Sequence, residues 1–222
     1  MVKISEILKN YTDYQSVVKF NLPLAWLDFS ESNTDLLNRE FTNTALFNAH
    51  VFEEMLEKST QIGIGGYLEN RVIYRRSEHF KAEDEARSIH LGIDIWAAAG
   101  TEVFAPLAGK IHSFANNNYF GDYGPTIILE HEIQGQAFYT LYGHLSEESL
   151  VNLAVGQEIN AGQQIATFGD FPINGDWPPH LHLQIIEDLQ GKQGDYPGVC
   201  KQSEMGFYQQ NCPDPNLILR VL

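Results

Sequence analysis

A histidine and an aspartate stand four residues apart in the stretch 88–100, which reads SIHLGIDIWAAAG. In a β-strand, successive side chains point to opposite faces. His90, Gly92 and Asp94 would then share one face, and the apolar residues between them would anchor the strand in a core. A glycine between two polar side chains leaves the backbone open to a ligand. An imidazole beside a carboxylate can supply two ligands to a divalent metal ion.

Two other interpretations of this stretch stay open at this point. A helix also aligns side chains four residues apart, although Gly92, Ile93 and Ile95 have poor helix propensity. The pair could also be an ordinary surface histidine beside an aspartate.

A second histidine pair lies far downstream, in PPHLHLQII at residues 178–186. The two prolines prevent a helix from running into this segment, and the strict alternation that follows is typical of a strand. His180, His182 and Gln184 would share one face. On a strand, the two imidazoles would point the same way, with Cα atoms about 6 to 7 Å apart.

A further histidine, His144, ends the strand-like run at residues 137–145 and follows Gly143. With the two earlier groups it completes a set of five residues: His90, Asp94, His144, His180 and His182. Three ligands can bind zinc and leave one coordination position for water, as a catalytic site requires. Two residues remain to handle protons. The spacing alone does not say which residue has which role.

The ordered motifs HxGxD, GTEVFAPLAGKI, YGHLS and HLH resemble the M23 family of zinc metallopeptidases, the lysostaphin-like or LytM-type endopeptidases. The resemblance covers about half of the chain, from residue 88 to residue 187. More loosely, the tail and the stretch NYFGDYGPTIILEH resemble M23 domains that are fused to class III aminotransferases.

The resemblance implies roles for each of the five residues. His90, Asp94 and His182 would bind Zn²⁺, and a set of two nitrogens and one oxygen suits a catalytic zinc ion. His144 and His180 would be the catalytic residues that take a proton from water and stabilise the oxyanion. The implied function is zinc-dependent hydrolysis of a peptide bond, with peptidoglycan stem or cross-bridge peptides as candidate substrates.

The composition limits the partners and the compartment. With 14 Lys and Arg against 29 Asp and Glu, the formal net charge is −15, which disfavours nucleic acid and anionic membranes. The first residues have no apolar core typical of a secretory signal. We therefore expect a cytoplasmic protein, or a periplasmic or secreted one if an export signal has been removed. Cys200 and Cys212 are expected to be reduced, and no signal indicates an oligomeric state.

From residue 89 onward, short apolar runs separated by turn residues predict a mainly β fold: an antiparallel sandwich or partly open barrel with a groove. A helical region is expected to precede it. The predicted division is an N-terminal region at 1–60, the peptidase domain at 61–188, and a tail at 189–222 that packs on the body.

The segment 33–58 shows no recognisable chemistry. Apolar spacing in 33–58 predicts one long helix or two shorter ones. Residues 71–74 (RVIY) are expected to form a strand. The triplet 69–71 is expected to form either a rim feature or, in the preferred interpretation, a salt-bridged surface.

Two alternatives from other functional classes remain. The first is a catalytically inactive M23-like domain that serves as a binding or regulatory module, although all five positions are filled here. The second is a phosphocarrier of the sugar phosphotransferase type, whose barrel carries a similar HxGID stretch. The HLH motif favours metal binding over phosphate transfer.

Overall fold

One open, eight-stranded sheet organises the molecule, in the strand order β1-β2-β4-β11-β8-β7-β6-β9. The computed structural model describes residues 3–80 and 85–221. β1 and β2 pair in parallel, and every other pairing in this sheet is antiparallel. Two small antiparallel pairs, β5 with β10 and β3 with β12, flank it.

The strands are β1 (Leu24–Leu27), β2 (Ile62–Gly65), β3 (Ile89–His90), β4 (Ile93–Trp96), β5 (Glu102–Phe104), β6 (Gly109–Asn117), β7 (Gly124–Ile133), β8 (Gln136–Gly143), β9 (Glu158–Ile159), β10 (Gln164–Thr167), β11 (His180–Ile186) and β12 (Val199–Cys200). The α-helices are short: α1 (Ile4–Asn10), α2 (Thr44–Ala49), α3 (Met205–Asn211) and α4 (Asn216–Leu219). A π-helical turn at His50–Met55 continues α2. The 3₁₀ helices lie at Thr34–Leu36, Val72–Arg76, Glu78–Phe80, Glu147–Leu150 and Gln202–Glu204.

Period-two alternation separates the core from the polar face, as the sequence predicts. Leu181, Leu183 and Ile185 of β11 lie in the main apolar core with Ile93 and Ile95 of β4. Their polar neighbours therefore face the other side of the sheet. In the register of the sheet, His182 stands opposite Asp94 on one side and opposite Gly143 on the other.

A second apolar cluster covers this polar face. It joins residues of the N-terminal region to two tryptophans near the histidines, Trp96 and Trp177. Phe29, Phe47 and Tyr74 are among its buried members, and the Phe29 and Trp96 ring centroids are 5.2 Å apart. The N-terminal region therefore forms one wall of the space around the histidines.

The mainly β prediction is confirmed, with a helical region before it and no closed barrel among the described strands. The same sheet crosses residue 60, where we place a domain boundary, because β1 pairs with β2. The division into three regions stays a prediction. At the other end of the chain, α4 contacts α1 and buries Ile218 in the main core.

Two local predictions were wrong or incomplete. Residues 71–74 do not form a strand: the chain turns at Arg71 and runs as a 3₁₀ helix from Val72. All four side chains in 71–74 are buried, so a strand with one solvent face would not suit them. The region 33–58 is divided into short helices, and the Asn43 side chain accepts the Leu46 N–H to begin α2.

Candidate metal centre

Three side chains from β3, β4 and β11 converge on one point beneath the second apolar cluster. His90 Nε2 lies 2.9 Å from His182 Nδ1, and Asp94 Oδ1 lies 3.2 Å from each of these nitrogens. All three side chains are buried. Ligand atoms at 2.0–2.1 Å in a tetrahedral zinc site stand about 3.3 Å from one another. The triangle therefore has the size that such an ion requires.

Hydrogen bonds on the outer side of each ring fix which nitrogen carries the proton. His90 Nδ1 donates to the Gly66 carbonyl at 2.8 Å, so its Nε2 carries the lone pair. His182 Nε2 donates to Gln184 Oε1 at 3.0 Å, because the Gln184 amide nitrogen donates to the Pro197 carbonyl. Two nitrogen lone pairs and a carboxylate oxygen thus meet without a hydrogen between them. Such a buried set is stabilised by a cation.

The glycine of the HxGxD motif makes room for the third of these side chains. A Cβ on Gly92 would stand 2.6 Å from His182 Cε1 and 2.6 Å from the Leu183 carbonyl oxygen. The sequence predicts open space at this position for a ligand. In the structure, the His182 ring fills that space instead.

The second carboxylate oxygen of Asp94 accepts a hydrogen bond from the buried guanidinium of Arg71. Burial alone would raise the pKa of the Asp94 carboxyl, but neighbouring His90 and Arg71 hold it well below its usual range. Burial, helped by Arg71, lowers the pKa of His90 to about 3. His90 is therefore neutral near pH 7, and Arg71 is the permanent cation that keeps Asp94 ionised.

His144 and His180 lie together beside the triangle. Their ring centroids are 4.1 Å apart, and His180 stacks on Trp96 at 4.1 Å and 12°. His144 Nδ1 donates to the Asn174 carbonyl and His180 Nδ1 donates to the Pro178 carbonyl, each at 2.8 Å. Both rings therefore have a basic Nε2.

Burial keeps this second pair of imidazoles neutral. It lowers the pKa of His180 to about 4. Burial and the neighbouring His180 hold the pKa of His144 well below its usual value. His144 also has a positive φ of 61°, an uncommon conformation for a residue with a side chain and one that recurs at functional sites.

A cavity of about 20 Å³ has members of both groups among its lining residues, namely Asp94, His144, His180 and His182. Its volume suits a single water molecule. A larger pocket of about 230 Å³ adjoins it, sharing Tyr74, His144, Trp177 and His182 as lining residues. The geometry therefore combines a cation-sized triangle, two basic nitrogens and a route for a larger molecule.

Residues 88–195 match the model of Peptidase family M23. This segment belongs to peptidase family M23. YgeR, an uncharacterized lipoprotein of Escherichia coli K12, is 41% identical to the chain over 94 residues. That match covers 42% of this chain and 33% of YgeR, so it spans a third of the curated relative.

Two solved structures are also similar to the chain. The catalytic domain of lysostaphin from Staphylococcus simulans is 30% identical, with a TM-score of 0.38, and the match covers 55% of this chain and 80% of that domain. A peptidase M23 from Pseudomonas aeruginosa, itself described only by that family, is 22% identical, with a TM-score of 0.41, and the match covers 60% of this chain and 44% of that one. The looser likeness to M23 domains fused to aminotransferases finds no support in these matches.

The M23 segment supplies all five residues that the sequence singles out, and the fold brings them together. His90, Asp94 and His182 form the triangle. His144 and His180 line the cavity beside it. The individual roles of these residues stay predictions.

Several residues around the M23 site were not found from the sequence. Arg71 and Glu69 do form the expected ion pair, but not at the surface, because Arg71 is only 2% exposed and also contacts Asp94. Tyr74, Tyr123 and Trp177 line the larger pocket, and the Tyr123 hydroxyl is 3.4 Å from His182 Nε2. These residues come from loops and a 3₁₀ helix, where no periodic pattern connects them to the histidines.

Two cysteines and a buried histidine lie outside the site. Cys200 and Cys212 are both free and buried, as expected for reduced thiols. His131 Nδ1 donates to the Ala108 carbonyl at 2.9 Å, and this ring lies outside the site. In the part of the chain that the structure describes, no helix has the length and apolar character needed to cross a membrane.

Proposed function

We propose that this protein is a zinc-dependent peptidase, in which His90, Asp94 and His182 bind the metal ion. The observation that carries the proposal is the convergence of His90 Nε2, His182 Nδ1 and Asp94 Oδ1 within 3.2 Å of one another. Nitrogen and oxygen ligands without a thiolate suit a catalytic zinc ion better than a structural one. When bound, zinc would acidify water to a pKa near 7 and polarise the peptide carbonyl.

The protein's own groups would manage the proton. His144 and His180 each have an unprotonated Nε2 beside the small cavity, because Nδ1 of each ring donates to a backbone carbonyl. One of the two would accept a proton from water at Nε2, and the resulting N–H could then donate to the leaving amine or to the oxyanion.

We infer that the substrate is a peptide that enters the larger pocket. The pocket is lined partly by aromatic rings, including Tyr74, Tyr123 and Trp177, which would shield a bound peptide from water. Family membership supports a peptide substrate, and peptidoglycan peptides are the first candidates to assay. The net charge of −15 favours neutral or cationic peptides over anionic polymers.

The compartment is a separate proposal. The E. coli relative is described as a lipoprotein, which supports the cell envelope for this protein as well. The sequence-based expectation was the cytoplasm. Fractionation of cells expressing the full-length protein from its natural gene would decide between the two compartments.

A hydrolysis assay tests the proposed function. Purified protein is incubated with peptidoglycan peptides and with a panel of unrelated peptides, and the products are identified by mass spectrometry. We expect cleavage that is lost after treatment with a chelator and restored by zinc. His180→Ala should retain zinc and lose cleavage. His112→Ala, whose imidazole lies outside the site and contacts Ser113, is the matched control and should retain both.

The same assay separates the proposal from its main alternative. A protein that binds zinc and peptide but cleaves none of them would be an inactive M23 domain that serves as a binding module. Loss of zinc together with activity in His180→Ala would instead mean that the two histidines of HLH have exchanged roles.

A further inference from the structure

The guanidinium of Arg71 reaches the metal centre from outside the M23 segment. Arg71 precedes the 3₁₀ helix Val72–Arg76, and its backbone N–H donates to the Ser88 carbonyl at 2.9 Å. Its side chain is among the largest fully buried side chains of the protein. A long cationic side chain is rarely buried unless it is paired. Its partners therefore indicate why it is there.

Two partners of Arg71 adjoin the triangle of His90, Asp94 and His182. Nη1 donates to Asp94 Oδ2, and Nη2 lies 3.4 Å from the Gly66 carbonyl. That same carbonyl accepts the Nδ1 proton of His90 at 2.8 Å. The Arg71 guanidinium therefore contacts both the Asp94 carboxylate and the backbone carbonyl that orients the His90 ring.

The two oxygens of Asp94 are divided between these neighbours. Oδ1 lies 3.2 Å from each of the two histidine nitrogens, while Oδ2 accepts a hydrogen bond from Arg71. A planar guanidinium with donors in fixed directions restricts the rotation of a bound carboxylate more than an ammonium group does. The contact with Arg71 thus keeps Oδ1 of Asp94 directed at the two histidine nitrogens.

Glu69 compensates for the charge that Arg71 brings. Its Oε2 accepts from Arg71 Nε at 2.7 Å, and its Oε1 accepts the Phe29 N–H at 2.8 Å. With two neutral imidazoles, the charges of Glu69, Arg71 and Asp94 sum to −1. Without Glu69 the sum would be zero, and a cation would be attracted less strongly.

We propose that Arg71 is a positioning residue of the metal centre: its guanidinium, neutralised by Glu69, holds the Asp94 carboxylate in the orientation that binds zinc. The proposal rests on the proposed function, because it takes the triangle of His90, Asp94 and His182 to be a zinc site. It also assigns a role in the centre to the region before residue 88, which the family match does not cover.

The test compares zinc affinity in variants of the full-length chain. Arg71→Met removes the donors and the charge, and Arg71→Lys keeps the charge but not the planar fork. Arg76→Met is the matched control. Arg76 is also buried and ends the 3₁₀ helix that follows Arg71. Its side chain contacts Thr44 and the Trp177 ring, and none of its contacts in the described residues is with the three proposed ligands. Dissociation constants are measured by competition with a chromophoric chelator, and folding of each metal-free variant by circular dichroism.

Removal of a residue that orients a metal ligand typically weakens metal binding by roughly 10- to 100-fold. We expect a loss of that size for Arg71→Met and a smaller loss for Arg71→Lys. Arg76→Met should bind zinc within about 3-fold of the parent, even if its thermal stability falls by as much as that of Arg71→Met. In an Asp94→Asn background, Arg71→Met should cause little further change, because it acts through Asp94.

Parent-like zinc affinity in folded Arg71→Met would overturn the proposal, as would equal losses in the Arg71 and Arg76 variants. Should Arg71→Met not fold, Arg71→Lys carries the test, and unchanged affinity there has the same meaning. A parent protein that binds no zinc at all would overturn the proposed function itself. That outcome differs from one in which the parent binds zinc and the Arg71 variants bind it equally well, which would overturn only the role of Arg71.

Discussion

Replacement of Gly92 by alanine should disrupt the metal centre through a single methyl group. The added Cβ would stand 2.6 Å from His182 Cε1, 2.7 Å from His182 Nε2 and 2.6 Å from the Leu183 carbonyl oxygen. Ordinary contacts of this kind begin near 3.4 Å, so the ring or the strand must move by roughly 0.8 Å. Ligand distances in zinc sites tolerate only about 0.2 Å.

The His182 ring has little freedom to absorb this shift. Its Nδ1 lies 2.9 Å from His90 Nε2, and its Nε2 donates to Gln184. We therefore expect Gly92→Ala to weaken zinc binding by at least about 100-fold. Overpacking of a buried site should also lower the free energy of unfolding of the metal-free protein by about 1 to 3 kcal/mol.

Chelator competition measures the zinc affinity, and urea unfolding with chelator present measures the stability. Gly206→Ala is the control, because a Cβ there meets no heavy atom within 4 Å and the position lies in helix α3. Gly206→Ala should leave zinc affinity unchanged. The reasoning fails if Gly92→Ala binds zinc within about 3-fold of the parent, since the ring would then not occupy the position described.

Two further predictions concern stability. Burial lowers the pKa of His131 to about 4 in the folded chain, against about 6.5 in the unfolded chain. Between roughly pH 4 and 6.5, the unfolded chain therefore binds more protons than the folded chain. The free energy of unfolding then falls as the pH drops from about 6.5 to about 4. Urea unfolding measures the free energy of unfolding at pH 7 and at pH 5. Between these two pH values, His131→Gln should lose about 2 kcal/mol less of it than the parent. Equal losses in the two proteins would mean that burial does not lower the pKa of this imidazole. Zinc present at 100 times its Kd should raise the free energy of unfolding of the parent by about 2.7 kcal/mol, and calorimetry should detect no such gain for His182→Ala.

The histidine positions could be predicted because alternation in a strand is a local property. Proline at 178 and 179 excludes a helix, so His180 and His182 had to share a face, and the structure has them in β11 with their apolar neighbours in the core. The interruption of the strand around Gly92, between β3 and β4, could not be predicted in this way. The sequence indicates that a glycine leaves space, but it does not say that a ring from position 182 enters that space.

Arg71 could not be found by the same reasoning. Its neighbours Val72, Ile73 and Tyr74 look like a short strand, and a charged residue at the start of such a strand is usually exposed. Its burial follows from contacts with Asp94, 23 residues away, and with Glu69. Contacts of this kind depend on how the N-terminal region packs over the sheet, which local periodicity does not encode.

The metal content of the purified protein decides whether the chain binds zinc at all. Protein prepared without added zinc is analysed by elemental mass spectrometry beside a His90→Ala variant. We expect about one zinc ion per chain in the parent and little in the variant, because His90 would supply one of the three proposed ligand atoms. A parent without zinc that also fails to take it up, or a variant that retains a full equivalent, would contradict this expectation.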